Sequence, residues 1–320
     1  MGAALGIALG AILLLSPESG HAELGSTIGL GFVLAAVPTL PVSPSAAGAT
    51  VAARGLSVLG GAVAVVLAAG HPVALGAATV ATAVLGAVFS RIGPTAALAV
   101  VLIALDIDGQ DGTAVFQVLA YASGAAAAMV AWSGWWVCAR TAGVRTVAAH
   151  ERSGPAERPA RRAHAVHIGI AVTLAVLIAA ALPEDLVGAH WLVTCVILTI
   201  QPGAEQTGFR LVQRLSGNTA GALIAAGVLG FPLPVVAVIG VTVAMFVIAM
   251  ALRPVNYTWW AVTGPPVLLV ISEYPQLFPW YEGGVRLAMN VLGASVVLVV
   301  VFVVPALLSR TRRAVTTKVG

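Results

Sequence analysis

The chain has 320 residues, 59% of them hydrophobic and only 9% charged, with a formal net charge of +4 and a mean hydropathy of +1.01. A soluble domain carries about a quarter of its residues as charges, so this sequence cannot coat a globule of its own size, and lipid must solvate most of it. In lipid only helices or closed barrels satisfy the backbone, and the long, continuous apolar runs select helices.

Taken in order, the apolar runs fall at about 1–16, 25–41, 52–70, 72–90, 93–107 and 114–138. They resume at about 166–182, 189–202, 215–230, 232–252, 256–272 and 285–308. The first run starts without a basic flank, and Gly20-His21-Ala22 resembles a small-residue cleavage site. It is nonetheless read as a retained helix, because Gly6-Ile7-Ala8 aligns with Gly169-Ile170-Ala171 at the start of the second half. Between the sixth and seventh runs, Arg140–His164 holds six Arg, two Glu and two Pro and reads as a solvated linker.

Charge fixes the topology. With both termini cytoplasmic, alternation places Arg54, Arg91, the linker, Arg210, Arg214, Arg253 and the tail from Arg310 to Lys318 inside. It places Glu18, Glu23, Asp106, Asp108, Asp111, Glu184, Asp185, Glu273 and Glu282 outside. Fifteen of the 16 basic residues then share one side, as the positive-inside rule requires. The expected architecture is all-α and integral to the membrane, with about twelve crossings. It divides into an N-terminal six-helix half (1–139), a basic cytoplasmic linker (140–165), a C-terminal six-helix half (166–309) and a basic cytoplasmic tail (310–320).

The basic pI does not imply nucleic acid, since the arginines are scattered at the ends of apolar runs. Cys138 and Cys195 lie inside such runs without metal-ligand spacing and read as small core residues. No metal site, cofactor or catalytic residue is expected: there is no H-E-x-x-H, no Asp-rich phosphate motif and no Ser–His pair at suitable depth.

One polar skeleton occurs twice in the second half. Trp191 and Thr194 precede Arg214, Asn218 and Gly221; Trp260 and Thr263 precede Arg286, Asn290 and Gly293. The spacings W-x2-T and R-x3-N-x2-G are the same in both copies, and Arg, Asn and Gly at i, i+4 and i+7 share one helix face. The first copy opens its helix from the cytoplasm and the second from outside. Three helices thus repeat in inverted orientation, an arrangement that builds transport sites at the repeat boundary. A parallel six-helix repeat is also visible: Arg54 and Gly61 match Arg214 and Gly221, Arg91 matches Arg253, and Gln117 and Gly124 match Arg286 and Gly293.

Each candidate has two readings. Arg286 is the one basic residue outside, so topology does not explain it; it is either an anion ligand or a snorkelling side chain paired with Glu282. Arg214 is either a topology anchor or part of a cationic mouth shared with Arg54, Arg91 and Arg253. Asn218 and Asn290 either bond helices together or line an anion path. Gly217, Gly221 and Gly293 read as packing residues that let helices approach. Trp191 and Trp260, like Trp259 and Trp280, suit an interfacial belt or, by recurring in the motif, stacking on an aromatic acid. Gly264, Pro265 and Pro266 are expected to break the eleventh helix.

The stretch His190-Trp191 through Thr194, Thr199 and Gln201-Pro202, then Arg210, Arg214, Gly217-Asn218-Thr219 and Gly221, resembles the fusaric acid resistance-like family. That family includes aromatic acid exporters and is similar to plant aluminium-activated malate channels. Its pattern is an aromatic-led helix ending in Gln-Pro and then R-x2-G-T-x2-G, with Asn218 here in place of Thr. Arg286 to Gly293 resembles the family's closing helix, and about 165–305 carries the likeness. The resemblance implies export or permeation of small organic anions. Arg214 and Arg286 would then replace the water a carboxylate loses, Asn218 and Asn290 would add hydrogen bonds, and Trp191, Trp260, Thr194 and Thr263 would line the path. The alternatives are an anion channel or a non-transporting membrane scaffold. The expected setting is the plasma membrane, and a homodimer is compatible with the repeat without being required by it.

Overall fold

The computed structural model describes residues 2–18, 22–36, 43–108, 113–142, 158–183, 188–230, 234–252, 256–273 and 282–309. These form twelve α-helices and no strand: α1 (Gly2–Glu18), α2 (Ala22–Ala35), α3 (Pro44–Leu67), α4 (Pro72–Val88), α5 (Thr95–Asp108), α6 (Ala114–Thr141), α7 (Arg158–Ala181), α8 (His190–Thr199), α9 (Ala204–Gly230), α10 (Val235–Leu252), α11 (Tyr257–Glu273) and α12 (Glu282–Leu298). A π-helical stretch, Val299–Val303, prolongs α12.

Among the described residues four helical stretches are long and apolar enough to cross a membrane: Ser45–Leu67, Ala114–Thr141, Ala160–Ala181 and Gly284–Ser309. Others are shorter. At about 1.5 Å per residue, the ten residues of α8 span roughly half of a ~30 Å apolar layer. α7 and α9 begin at Arg158 and Ala204, well before their apolar runs, because a helix that has started satisfies its backbone whatever its side chains. Residues 143–157, Glu184, Asp185, Arg253, Trp280 and the tail from Arg310 lie outside the described residues.

The exterior is apolar, with Leu67, Val73, Val115, Leu119 and Leu223 exposed, while Thr194, Arg214, Asn218, Arg286 and Asn290 are buried. This inversion of the soluble pattern suits a lipid solvent, in which ionisable groups face the protein interior.

Contacts among the first six helices recur six helices later. α3 packs on α5 and α6 as α9 packs on α11 and α12; α2 packs on α6 as α8 packs on α12; α1 lies on α10 as α7 lies on α4. The matched glycines mark this last pair: a Cβ on Gly6 would run into Val247 Cγ2, and one on Gly169 would stand 3.2 Å from Val84 Cγ2.

Packing corrects one register. A Cβ on Gly61 would lie 2.7 Å from Ala99 Cβ, and one on Gly217 would collide with Ala261 Cβ at the corresponding place on α11. Gly61 is therefore the counterpart of Gly217, not of Gly221, and Arg54 that of Arg210, not of Arg214. One helical turn separates the two alignments. The positions equivalent to Arg214 and Asn218 are then Val58 and Ala62, both fully buried. The other match keeps its register: Gly124 meets Ile28 and Phe32 of α2, and Gly293 meets Leu192 and Cys195 of α8.

α11 is also corrected. It runs unbroken through Gly264, Pro265 and Pro266. The two prolines withdraw the donors for the carbonyls of Ala261 and Val262 alone. α9 packs closely on α11 there, a Cβ on Gly217 standing 2.9 Å from the Ala261 carbonyl carbon.

Candidate functional site

Four helices build the site, and local sequence sets each one. α8 starts after Gly188, whose φ of +111° favours glycine; a Cβ there would stand 3.1 Å from Val285 Cγ1 at the start of α12. α8 ends at the Gln-Pro turn, locked by Thr207: the Gln201 N–H donates to Thr207 Oγ1 at 3.0 Å, and that hydroxyl donates to the Gly203 carbonyl at 2.8 Å. On α9, Gln213, Arg214, Gly217, Asn218 and Gly221 form the buried face, opposite exposed Val212, Ser216 and Thr219. Asn256 seats the start of α11 against it, its Oδ1 accepting from Gln213 Nε2 at 2.8 Å and from the Thr258 N–H at 2.9 Å.

Relative direction follows from the contacts. α9 and α11 run parallel, since Gln213 meets Asn256, Arg214 meets Tyr257 and Gly217 meets Ala261. α8 and α12 also run parallel, through Trp191 with Arg286 and Cys195 with Asn290. α9 and α12 are antiparallel, because Asn218 meets Asn290 while Gly208 meets Phe302.

At the crossing of α9 and α12, Asn218 Nδ2 donates to Asn290 Oδ1 at 2.7 Å, and Asn290 Nδ2 donates to the Arg286 carbonyl at 2.8 Å. One turn away on one side, the Arg286 guanidinium stacks 3.4 Å above the Trp191 ring, with His190 tilted against the other aromatic at 4.4 Å. On the other side, Arg214 Nη1 donates to Tyr257 Oη at 3.3 Å. The Cys195 thiol itself donates to the Asn290 carbonyl at 3.3 Å. The two arginines are each 4% exposed.

Several buried donors are left uncommitted by the described residues: Arg214 Nε, Thr194 Oγ1 and His190 Nδ1. None of Arg214's contacts is a carboxylate. A buried cation with neutral partners costs several kcal/mol (roughly) to maintain, which an anion of suitable size would offset.

The sequence motif is therefore brought together unevenly. Arg214, Asn218, Arg286, Asn290 and Trp191 converge, and Thr194 is buried beside them on α8. Thr263 returns its hydroxyl to the Trp259 carbonyl at 2.6 Å. Trp260 packs on the apolar core shared by α1, α2, α3, α5, α6 and α10, its indole 3.3 Å from where a Gly264 Cβ would stand. Gly217 and Gly293 make close helix approaches, and Gly221 is buried. Pairing of Arg286 with Glu282 lies outside the described side chains. Cys195 is a buried core residue that also touches the cluster, whereas Cys138 is exposed and not the core residue expected. Tyr257, Arg210 and His190 join the site without having been assigned a role there; the signals were the family-like stretch that holds His190 and Arg210 and the step Arg210, Arg214, Asn218, which continues the same face by i+4.

A cavity of about 130 Å³ lies elsewhere, between the α4–α5 turn and α7–α8, lined among others by His164, Gln201, Gly86 and Gly93. No three His, Cys, Asp or Glu side chains among the described residues are grouped to hold a metal ion.

Comparison with curated proteins and with solved structures returned no match. Residues 174–300 match the family model described as fusaric acid resistance protein-like. That range takes in α8 to α12 and the start of the π-helical extension, so the helices that carry the Arg–Asn cluster form a fusaric acid resistance protein-like segment.

Proposed function

We propose that this protein is a multi-pass plasma-membrane transporter that exports small organic carboxylates, aromatic ones included. In this reading it crosses the bilayer twelve times in two six-helix halves, with both termini cytoplasmic and inverted three-helix repeats in the second half. The observation that carries the reading is Arg214: a guanidinium buried in an apolar protein, bonded to the neutral Tyr257 hydroxyl and with its Nε uncommitted among the described residues. Arg stays charged at any relevant pH and its fork fits both oxygens of a carboxylate. Arg286 offers a second cation on the far side of the Asn218–Asn290 pair, and Trp191 gives that end an aromatic face. The paired cations would replace the hydration that a carboxylate loses on leaving water.

A second reading, a membrane scaffold, draws on the direct Asn218–Asn290 hydrogen bond, which ties helices as polar glue does. Flux separates the two. Reconstituted vesicles carrying the wild-type protein should release labelled benzoate faster than empty vesicles, and Arg214→Ala and Arg286→Ala should each cut that rate at least tenfold while still eluting as folded protein. Unchanged flux in both variants, or no flux above empty vesicles in the wild type, removes the transport reading.

A further inference from the structure

Arg210 lies one turn before Arg214 on α9, about 6 Å along the axis. It is half-buried, and its Cζ sits 3.7 Å above the centroid of the Tyr257 ring. The hydroxyl of the same tyrosine accepts from Arg214 Nη1. One side chain therefore holds both cations, the outer by its ring and the inner by its oxygen. Tyr257 is fixed in that posture from behind, because Asn256 is bonded to Gln213 and to the Thr258 N–H. No carboxylate among the described residues pairs with Arg210.

Both contacts are of a kind that a carboxylate can displace. At 3.3 Å the Arg214–Tyr257 bond is longer than charge-assisted bonds, which are about 2.7–2.9 Å, and a cation–π contact at a half-exposed site is worth only about 0.5–1 kcal/mol. The equivalent first-half positions lack this device: Arg54 is the counterpart of Arg210, but Thr95 stands where Tyr257 does.

We infer that Arg210 and Tyr257 form a second anion-binding position, a loading station for one small carboxylate on the N-terminal side of α9. The carboxylate first takes the guanidinium face of Arg210 in exchange for the Tyr257 ring. It then moves one turn inward as the Tyr257 hydroxyl gives up Arg214. The positive-inside reading puts this station on the cytoplasmic side, where an exporter picks up its cargo. The inference rests on the transport reading and deepens it.

Benzoate flux into or out of proteoliposomes, with benzoate presented to the face that carries the start of α9, tests it. Arg210→Gln should raise KM about tenfold with a maximal rate within twofold of wild type, and Arg210→Lys should restore part of the KM. Tyr257→Phe keeps the ring and removes the oxygen, so it should leave KM near wild type and change the maximal rate. An Arg210→Gln protein with wild-type KM, in a system where wild type transports and Arg214→Ala does not, overturns the loading station alone. Absent wild-type flux, or full flux in Arg214→Ala, overturns the transport reading beneath it.

Discussion

Asn218 and Asn290 meet amide to amide at 2.7 Å where antiparallel α9 and α12 cross, and each stands four residues after a buried arginine. The pair thus lies between the two arginines, with Arg214 and Arg286 displaced about 6 Å along the axis on opposite sides. Asn290 is fully buried and bonds the Arg286 carbonyl as well, so the two amides are not equal. Asn290→Ala removes two side-chain bonds and leaves the Asn218 amide unpartnered, so it should cost more stability than Asn218→Ala, with each in the range of about 1–3 kcal/mol. In thermal unfolding of the detergent-solubilised protein, the double variant should fall short of additivity by about 0.6–1.7 kcal/mol, from the average to the largest coupling found for bonds between membrane helices. Strict additivity would show that the contact contributes nothing.

Glycine substitutions separate packing from flexibility. A Cβ on Gly293 would stand 2.8 Å from both Cys195 Cβ and the Leu192 carbonyl oxygen, and one on Gly217 would stand 2.9 Å from the Ala261 carbonyl carbon, whereas Gly240 and Gly284 have open space. Gly293→Ala and Gly217→Ala should therefore lower stability by about 1–3 kcal/mol through overpacking. Gly240→Ala, inside α10, should raise it by about 0.5–1 kcal/mol, since alanine is the better helix former. The same melting measurement reads all of them, and a neutral Gly293→Ala would mean that α8 and α12 are not pressed together there.

The Arg286–Trp191 stack sets a third expectation. At 3.4 Å above the ring, the planar guanidinium is held by its face, which an ammonium cannot reproduce. Arg286→Lys keeps the charge yet should lose about 1–2 kcal/mol of stability, the scale of a desolvated cation–π contact, and Trp191→Leu should lose a similar amount. The double variant should lose little more than either single one. Independent losses would place the two side chains in separate environments.

The class of fold was readable from bulk composition, because 9% charged residues leave lipid as the only adequate solvent. The arginine–asparagine cluster was readable too, since identical i, i+4, i+7 spacings in two helices already share a face before any tertiary contact is known. Tyr257 was not. It lies 43 positions from Arg214, and a tyrosine at a helix end looks the same in sequence whether it faces headgroups or a buried cation. Register failed for a related reason: Arg54 can be aligned with Arg210 or Arg214 by spacing alone, and only the approach of Gly61 and Gly217 to matching alanines of α5 and α11 decides. Pro265 and Pro266 misled because the pair removes only two backbone donors, and α11 continues as a helix through them.

Energy coupling yields the last prediction. Asp106, at the end of the fifth run, is the single Asp or Glu inside an apolar run of the sequence, and one carboxylate at a run's end gives the transport reading no relay with which to exchange protons for cargo. The cluster is instead cationic, and an anion held there feels the membrane field directly. One elementary charge across 100 mV is worth about 2.3 kcal/mol, which corresponds to a roughly fifty-fold gradient of a monovalent anion at equilibrium. In proteoliposomes clamped by a potassium gradient and valinomycin, an inside-negative potential should speed benzoate efflux and its reversal should slow it. Collapsing a pH gradient at fixed potential should leave the rate unchanged. Efflux that ignores the potential and follows the proton gradient would mean that a titrating group moves with the cargo, and the buried arginines would then be the wrong centre for the mechanism.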